Sequence, residues 1–289
     1  MASLASELGR ALVNDPAEAW GLLREKVSAR LETYRPKCSY TPDQDWERRL
    51  HDILGIGWPC DHVDEFWAAW PEVLQRYKDE GVEIGRGTFG GWGDGEPALV
   101  RAIWCLVRHL RPASVVETGV ARGFTSRFIL DALERNGSGA LWSIDLPPPN
   151  RPELHSQIGS AVPDHLRHRW TYLKGTSRQH LPGLLAKLGQ IDLFIHDSAH
   201  NGYNVVFELS RAWMALRPGG AAVVDDIDQN WGFHTFTQSA SGYRSVICYA
   251  EPLAPDLPRF EGRGLFGIIC KDSTAGSAAK SAGQAPAPV

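Results

Sequence analysis

The sequence predicts an α/β protein with a doubly wound, mostly parallel seven-stranded sheet, an antiparallel last strand and an N-terminal layer of helices. From residue 96 onward, short runs of β-branched residues alternate with helical segments, which is typical of a parallel sheet covered on both faces. The last two runs are joined only by 251–263, which leaves little room for a crossover helix and favours antiparallel pairing. A chain of 289 residues can hold such a core together with a smaller appendage.

The region 1–95 is predicted to form a helical layer that includes a lid. The spacing of its apolar residues predicts helices at 4–13, 16–33, 43–54 and 62–79. Segment 85–95 carries six glycines, so it is either an ordinary linker or a mobile loop that closes over a ligand. Seven of the eleven tryptophans fall within the first 104 residues. Most are interpreted as packing anchors, and a pocket for an apolar or glycosylated substrate is the alternative.

The region 96–271 is predicted to form the core, and 272–289 is expected to be a disordered tail because it is small, polar and rich in proline. Apolar β-branched runs predict strands at 114–118, 140–146, 170–175, 191–197, 220–226, 243–250 and 264–271. Helical spacing predicts helices at 97–110, 124–136, 153–167, 177–188 and 202–216. Pro112, Gly137 and the prolines at 147–149 mark ends of these elements.

Composition excludes several classes of protein. A net charge of −4 argues against a nucleic-acid partner. No apolar run approaches the roughly 20 residues that span a bilayer, and the N-terminus lacks the apolar segment of a signal peptide. A cytoplasmic location without a membrane partner is therefore expected by default. Five cysteines without a CxxC spacing argue against a disulfide framework, and Cys105, Cys248 and Cys270 are expected to be buried thiols.

The sequence ETGVARG, from Glu117 to Gly123, follows the first strand and opens a helix. Doubly wound folds bind nucleotides at this position. Val120 and Ala121 stand where a dinucleotide fingerprint needs its second glycine, so the loop suits a nucleoside without a pyrophosphate. Asp145 ends the second strand, where a carboxylate can accept both ribose hydroxyls or can cap the next turn.

Acidic residues also end the fourth and fifth strands. Asp197 ends one, Asp225 and Asp226 end the other, and adjacent parallel strands would bring all three to the same edge of the sheet. Three close carboxylates repel one another without a cation, and their hard oxygens suit Mg²⁺. His200 lies near enough to accept a proton from a metal-bound hydroxyl, although a single histidine is more often structural. His196 is expected on the opposite face of its strand.

The ETGVARG loop, the acid of SIDL, the IDLFIHD strand and the LRPGG turn occur in an order that resembles the class I S-adenosylmethionine-dependent methyltransferases, over about 96–271. The resemblance implies a Rossmann-like methyltransferase core that binds S-adenosylmethionine. The cofactor contacts that it implies fall on Glu117, Thr118, Gly119, Gly123, Ser126, Asp145, Thr176, Ser177 and Asp197. Thr176 and Ser177 would lie near the adenine, in a turn where that family more often has an acid.

The acids with His200 resemble the site of the metal-dependent sugar O-methyltransferases that modify macrolide antibiotics. That likeness implies Mg²⁺ on Asp197, Asp225 and Asp226, with His200 as the base. It also implies a small-molecule hydroxyl as acceptor, in a sugar or another secondary metabolite, and leaves homo-oligomer formation open. A metal-independent methyltransferase, and an S-adenosylmethionine-binding enzyme of another class such as a cyclase or hydroxylase, remain alternatives. A non-catalytic interaction protein is disfavoured by the three uncompensated acids.

Overall fold

The computed structural model of the chain describes residues 16–32, 34, 38–82, 89, 96–147, 151–251 and 264–273. The helix predicted at 4–13, almost all of the tail and the glycine-rich segment 85–95, apart from Phe89, lie outside these residues. Among the described helices, none combines the length and the apolar character that crossing a membrane requires.

A seven-stranded sheet forms the centre of the described structure. The strands are β1 (Ser114–Thr118), β2 (Ala140–Asp145), β3 (Trp170–Lys174), β4 (Ile191–His196), β5 (Leu216–Val224), β6 (Tyr243–Tyr249) and β7 (Leu265–Lys271). Their order is β3-β2-β1-β4-β5-β7-β6. Strands β1 to β5 are parallel, and β7 runs antiparallel to both β5 and β6. The predicted fold class, with its antiparallel last strand, is confirmed. The order reverses between β1 and β4, and such folds bind ligands at the carboxyl ends of the strands beside that point.

Helices cover both faces of the sheet. They are α1 (Pro16–Glu32), α2 (Trp46–Leu54), α3 (Val63–Asp79), α4 (Pro97–Leu110), α5 (Phe124–Asn136), α6 (Ser177–Leu188), α7 (Gly202–Ala215) and α8 (Gly232–Ser239). The predicted boundaries of α4, α5 and α6 are confirmed to the residue.

Two predictions of local structure are wrong and one element was missed. The helix predicted at 153–167 is replaced by two short 3-10 helices, Pro152–Gln157 and Asp164–Arg169. Gly159 is left-handed between them, with φ of 67°, and breaks the continuous helix. The strand predicted at 220–226 begins earlier and spans β5. Helix α8 was missed because its glycine, threonine and aromatic residues are weak helix formers, and burial of Phe233 and Phe236 stabilises it instead.

Helices α2 and α3 share a continuous hydrophobic core with the sheet, whereas α1 contacts α7 and α6. The Phe66 ring of α3 packs 5.4 Å from the Phe128 ring of α5, and Trp70 lies 5.2 Å from Phe124 between ring centroids. Trp70 is buried in this cluster, as are Trp46 and Trp104. This is the packing role predicted for most tryptophans. Helices α2 and α3 therefore pack firmly against the face of the sheet covered by α4 and α5.

Candidate active site

The loop between β1 and α5 requires glycine at two positions because it is packed tightly from both sides. Gly119 has φ of 87°, and a Cβ there would overlap the carbonyl oxygen of Asp197. Gly123 has φ of 81°, and a Cβ there would approach the Cα of Gly159 to 2.9 Å. Side chains strain such left-handed backbone. The glycines predicted from ETGVARG thus let the loop lie directly against the end of β4.

Asp145 holds this loop in shape. Its Oδ2 accepts hydrogen bonds from the N–H groups of Val120 at 3.0 Å and Ala121 at 2.9 Å. Ala121 has φ of 48°, and these bonds hold it in this unfavourable conformation. Burial raises the pKa of Asp145, and these N–H groups oppose that rise. The carboxylate therefore caps the loop that follows β1, whereas the alternative interpretation had it cap the turn after its own strand. A carboxylate has further acceptor sites, so the ribose contact stays a prediction.

Glu117 presents an unsatisfied oxygen at the base of the loop. Its side chain is fully buried, and Oε2 accepts hydrogen bonds from Ser126 at 2.6 Å and Ser143 at 2.7 Å. Within the described part of the chain, Oε1 has no hydrogen-bond partner. Desolvation raises the pKa of Glu117 to about 7. A buried polar atom without a partner is unusual, and a ligand donor would satisfy it. Ser126 thus orients Glu117, and its contact with the cofactor stays a prediction.

Glu208 of α7 organises a buried network beneath the strand ends. It accepts hydrogen bonds from Thr118 Oγ1 at 2.6 Å, His196 Nδ1 at 2.7 Å, Ser198 Oγ at 2.9 Å and Asn204 Nδ2 at 2.9 Å. Burial alone would raise the pKa of Glu208, but the charge and hydrogen bond of His196 lower it to about 2.

This Glu208 network bears on two of the predicted residues. His196 lies on the opposite face of β4 from the loop side chains, as predicted, and is fully buried. The hydroxyl of Thr118 points to Glu208, so a cofactor contact of Thr118 would have to use its backbone. Ser198 and Asn204 tie the network to the connection between β4 and α7, which also carries Asp197 and His200. The network therefore positions the predicted metal and base residues from below.

Thr176 and Ser177 begin α6. Thr176 Oγ1 accepts the N–H of Gln179 at 3.2 Å, and the Gln179 side chain accepts the N–H of Thr176 at 3.1 Å, which forms a capping box. Ser177 Oγ donates to Asn204 Oδ1 at 3.4 Å. These contacts explain why small hydroxyl residues suit this turn. Their proximity to an adenine stays a prediction.

The structure brings the four predicted metal and base residues together. His196 pairs with Val224 in the register of β4 and β5, so Asp197 and Asp225 follow neighbouring strand ends. One ligand atom each of Asp197, His200 and Asp225 lie within 4.8 Å of one another. His200 Nε2 lies 3.8 Å from Asp197 Oδ1 and 3.8 Å from Asp226 Oδ2. We call Asp197, His200, Asp225 and Asp226 the rim cluster.

The electrostatics of the rim cluster are those of crowded acids around a neutral imidazole. Burial raises the pKa values of Asp197 and Asp225 well above their usual range, and the charge of Asp226 raises both further. Burial, followed by the charge of His196, lowers the pKa of His200 to about 3. The imidazole is therefore neutral at physiological pH and can accept a proton. Carboxylate oxygens with this mutual repulsion form a donor set that a divalent cation stabilises.

Sequence reasoning missed two acids that shape the site. Glu208 could have been found as an acid beside the apolar positions Val205, Leu209 and Ala212 of one helix face, since such an acid is buried only with partners. In the sequence prediction, Glu96 marked only the start of the core region. In the structure it caps α4 by accepting the N–H of Leu99 at 2.6 Å. Its pKa is raised to about 8 by burial, and its charge raises the pKa of Asp225.

Comparison with known proteins agrees with the fold. Residues 116–227 match the family model of a methyltransferase domain. An O-methyltransferase from Bacillus cereus in complex with SAH is 15% identical, with a TM-score of 0.50 over 78% of this chain and 96% of that one. A candidate O-methyltransferase from Klebsiella pneumoniae is 17% identical, with a TM-score of 0.50 over 79% of this chain and 98% of that one.

TomG from Streptomyces achromogenes, an O-methyltransferase of tomaymycin synthesis solved with SAM, is 15% identical, with a TM-score of 0.48 over 71% of this chain and 89% of that one. No curated protein sequence matches this chain significantly. At such identities the solved structures establish the fold, and the family model identifies the domain that carries the loop and the rim. Residues 116–227 carry a methyltransferase domain, and the seven-stranded sheet has the Rossmann-like fold of the methyltransferases solved from Bacillus cereus and Klebsiella pneumoniae.

Proposed function

We propose that this methyltransferase is an O-methyltransferase that acts on a small-molecule hydroxyl, in a sugar or another secondary-metabolite acceptor. We further propose that Mg²⁺ assists the reaction and that His200 is the base. The observation that carries the proposal is the clustering of Asp197, His200 and Asp225 within 4.8 Å of one another. This cluster lies against the loop between β1 and α5, because Gly119 packs against the carbonyl of Asp197.

The loop fits a sulfonium nucleoside that carries an amino-acid tail. S-adenosylmethionine supplies an electrophilic methyl group when bound. Oε1 of Glu117 offers a buried acceptor without a partner, and the glycine backbone at 119 and 123 allows close approach. Glu117 and the loop backbone would hold the methionine and ribose portions, and Asp145 would reach the ribose hydroxyls. These residues orient the donor so that the acceptor oxygen can attack in line.

The rim cluster fits a hard divalent cation by the chemistry of its donor set. Asp197, Asp225 and Asp226 would hold it. Burial, followed by the charge of Asp226, raises the pKa values of Asp197 and Asp225, and a positive ion would relieve this repulsion. A bound Mg²⁺ lowers the pKa of a coordinated hydroxyl and orients it. The fixed φ of 51° at Asp226 keeps two consecutive carboxylates at the same strand end. Such left-handed backbone is uncommon outside glycine and marks functional positions.

His200 is placed to receive the acceptor proton. The ring is neutral because burial depresses its pKa, and a neutral imidazole is the form that acts as a base. Once protonated, the imidazolium would lie 3.8 Å from the carboxylates of Asp197 and Asp226, which stabilise positive charge. The Glu208 network beneath fixes the segment from which His200 projects.

A small neutral or polar acceptor agrees with the charge of the site. The rim carries three carboxylates and the chain has a net charge of −4. A phosphate backbone would be repelled from such an edge. Hydroxyl-bearing small molecules can instead offer oxygens to a cation at the rim.

Cofactor binding and metal dependence can be tested in sequence. Calorimetric titration with S-adenosylmethionine should show binding, and transfer of its labelled methyl group should be found on a panel of sugar and phenolic acceptors. EDTA should abolish that transfer, and added Mg²⁺ should restore it. Full transfer after chelation would support a metal-independent methyltransferase instead.

The base assignment has a separate test. His200→Gln should lose transfer while Mn²⁺ binding, followed by electron paramagnetic resonance, is retained. Loss of Mn²⁺ binding in this variant would place His200 among the metal ligands, and full activity would remove it from the reaction.

A further inference from the structure

Four metal-binding side chains converge in the helical layer, away from the rim cluster. They are His51 of α2, Cys60 of the connection to α3, and Cys105 and His109 of α4. One ligand atom of each lies within 4.8 Å of the ligand atoms of the other three. Cys105 and His109 are four residues apart, so they project from the same face of their helix. We call these residues the thiol–imidazole cluster.

The separations within the thiol–imidazole cluster approach those of a tetrahedral metal site. Cys60 Sγ lies 4.0 Å from Cys105 Sγ and 3.4 Å from His109 Nε2, and Cys105 Sγ lies 3.8 Å from His51 Nε2. Zinc–sulfur bonds of about 2.3 Å and zinc–nitrogen bonds of about 2.0 Å give tetrahedral ligand–ligand edges of about 3.4–3.8 Å. These three separations therefore lie within about a few tenths of an ångström of tetrahedral edges, and the ligand atoms of the other pairs lie within 4.8 Å of one another.

The surroundings orient these ligands and exclude water. His51, Cys60 and Cys105 are 2%, 8% and 6% exposed. His51 Nδ1 lies 2.7 Å from the Glu47 carbonyl oxygen, to which it donates as a neutral ring, and its Nε2 then faces the sulfur of Cys105 with a lone pair. Metal-binding histidines are oriented in this way by backbone carbonyls. The Trp58 ring packs edge-on against His51, 5.0 Å between centroids, and covers the cluster.

Two alternatives explain the arrangement less well. A disulfide between Cys60 and Cys105 would need their sulfurs at about 2.05 Å, and it would leave the two imidazoles beside them without a role. The second alternative would include His62, a neighbouring histidine whose ring lies 4.9 Å from that of His109. Its Nδ1 faces Arg108 at 3.3 Å, so it belongs to an ion-pair group on the outer side.

We propose that His51, Cys60, Cys105 and His109 bind a structural zinc ion that ties α2 and the following loop to α4. Thiolate and imidazole ligands select zinc over Mg²⁺, and four protein ligands close the coordination shell. Two thiolates neutralise the ion, so no net charge is buried. Glu96, at the beginning of α4, is the residue of this helix whose charge acts on Asp225. Cys105 lies about two and a half turns further along α4, so the zinc ion is separate from the rim cluster.

The zinc content of the purified full-length protein tests the proposal. The protein should be expressed with added zinc, kept reduced and passed through a desalting column before elemental analysis. Wild type should retain stoichiometric zinc. Cobalt substitution should give a thiolate-to-cobalt charge-transfer band and the intense visible bands of tetrahedral coordination. X-ray absorption should show two sulfur and two nitrogen neighbours.

Matched variants assign the ion to this cluster. Cys105→Ser should lose zinc and the charge-transfer band, whereas Cys38→Ser, which removes another buried thiol, should keep both. Asp225→Asn, at the rim, should also keep zinc. Three results would overturn the proposal: wild type without zinc or a cobalt–thiolate band, a Cys60–Cys105 disulfide in the mass spectrum of unreduced protein, or zinc that is lost from Asp225→Asn and retained by Cys105→Ser. The wild-type measurement decides even if Cys105→Ser fails to fold.

Discussion

Asp197, His200 and Asp225 of the rim cluster gather ligand atoms within 4.8 Å, as do the four residues of the thiol–imidazole cluster, yet the two clusters are built from different chemistry. The rim cluster joins carboxylates that follow adjacent strand ends and a histidine from the next connection, and its residues are partly exposed. The thiol–imidazole cluster joins two helices and a loop, and three of its four residues are almost fully buried. Oxygen ligands at an open edge suit an exchangeable cation and an incoming substrate, whereas closed sulfur and nitrogen ligands suit a permanent ion.

The two clusters also differ in what holds them in place. Under the rim lies the Glu208 network of hydrogen bonds and charge, which pH can change. Around the thiol–imidazole cluster lie Trp58, Trp104 and other apolar side chains, whose packing is insensitive to pH. Substitutions should therefore separate activity, which belongs to the rim, from zinc content, which belongs to the helical layer.

The largest expected effect is on catalysis. Asp225→Asn removes a carboxylate from the rim and should lower methyl transfer by on the order of 10³-fold, since a catalytic metal contributes several kcal/mol to transition-state stabilisation. Zinc content should not change. Transfer to any acceptor that wild type methylates provides the measurement, with elemental analysis alongside. Unchanged transfer would remove the metal from the mechanism.

The next effect concerns the loop beside the rim. Gly119→Ala would place a methyl group against the carbonyl of Asp197 on backbone with φ of 87°, and should lower the free energy of unfolding by about 3 kcal/mol and weaken S-adenosylmethionine binding. Gly183→Ala is the control, because nothing lies within 4 Å of its Cβ position within helix α6. Denaturant titration and calorimetry measure both. Equal behaviour of the two variants would contradict the close approach.

The third-largest effect is expected from a substitution in the Glu208 network. Glu208→Gln keeps the shape of the side chain but places an amide donor against the donors of Thr118 and His196. It should lower the free energy of unfolding by about 2 kcal/mol. His196 would lose its charged partner, while the thiol–imidazole cluster should keep its zinc. Urea unfolding with zinc analysis checks both expectations. A loss of zinc equal to the loss of stability would show that the two regions are coupled.

The smallest effect is the pH dependence of the free protein. The pKa of Glu117 is raised from 4.5 to about 7 by burial, so its contribution to stability is fully present below pH 4.5 and is lost as pH rises through about 7. Wild type should lose about 1–3 kcal/mol over this window from this group. Glu117→Gln should flatten that part of the profile. Thermal unfolding at a series of pH values tests this, and identical profiles would contradict the buried state of Glu117.

Much of the fold could be predicted because periodicity is local. The alternation of β-branched runs with helical segments gave the sheet and most helices, and strand ends located Asp145, Asp197 and Asp225 at the edge where ligands bind. Helix α8 could not be predicted, since its stability comes from the burial of Phe233 and Phe236 rather than from local preference.

The roles of side chains at the site were less predictable than their positions. Thr118 and Ser126 lie beside the loop as expected, but their hydroxyls donate to Glu208 and Glu117. The direction of a hydroxyl depends on partners far away in sequence. The thiol–imidazole cluster was not predicted for the same reason, because His51 and Cys60 meet Cys105 only through the packing of α2 on α4. Only the four-residue spacing of Cys105 and His109 was visible locally.

The most direct test of the central claim is the effect of chelation and metal replacement on methyl transfer by wild type, with zinc content followed in the same samples. EDTA should stop transfer, and Mg²⁺ alone should restore it while zinc content stays constant. Transfer that persists in EDTA would contradict a metal-assisted reaction at Asp197, Asp225 and Asp226.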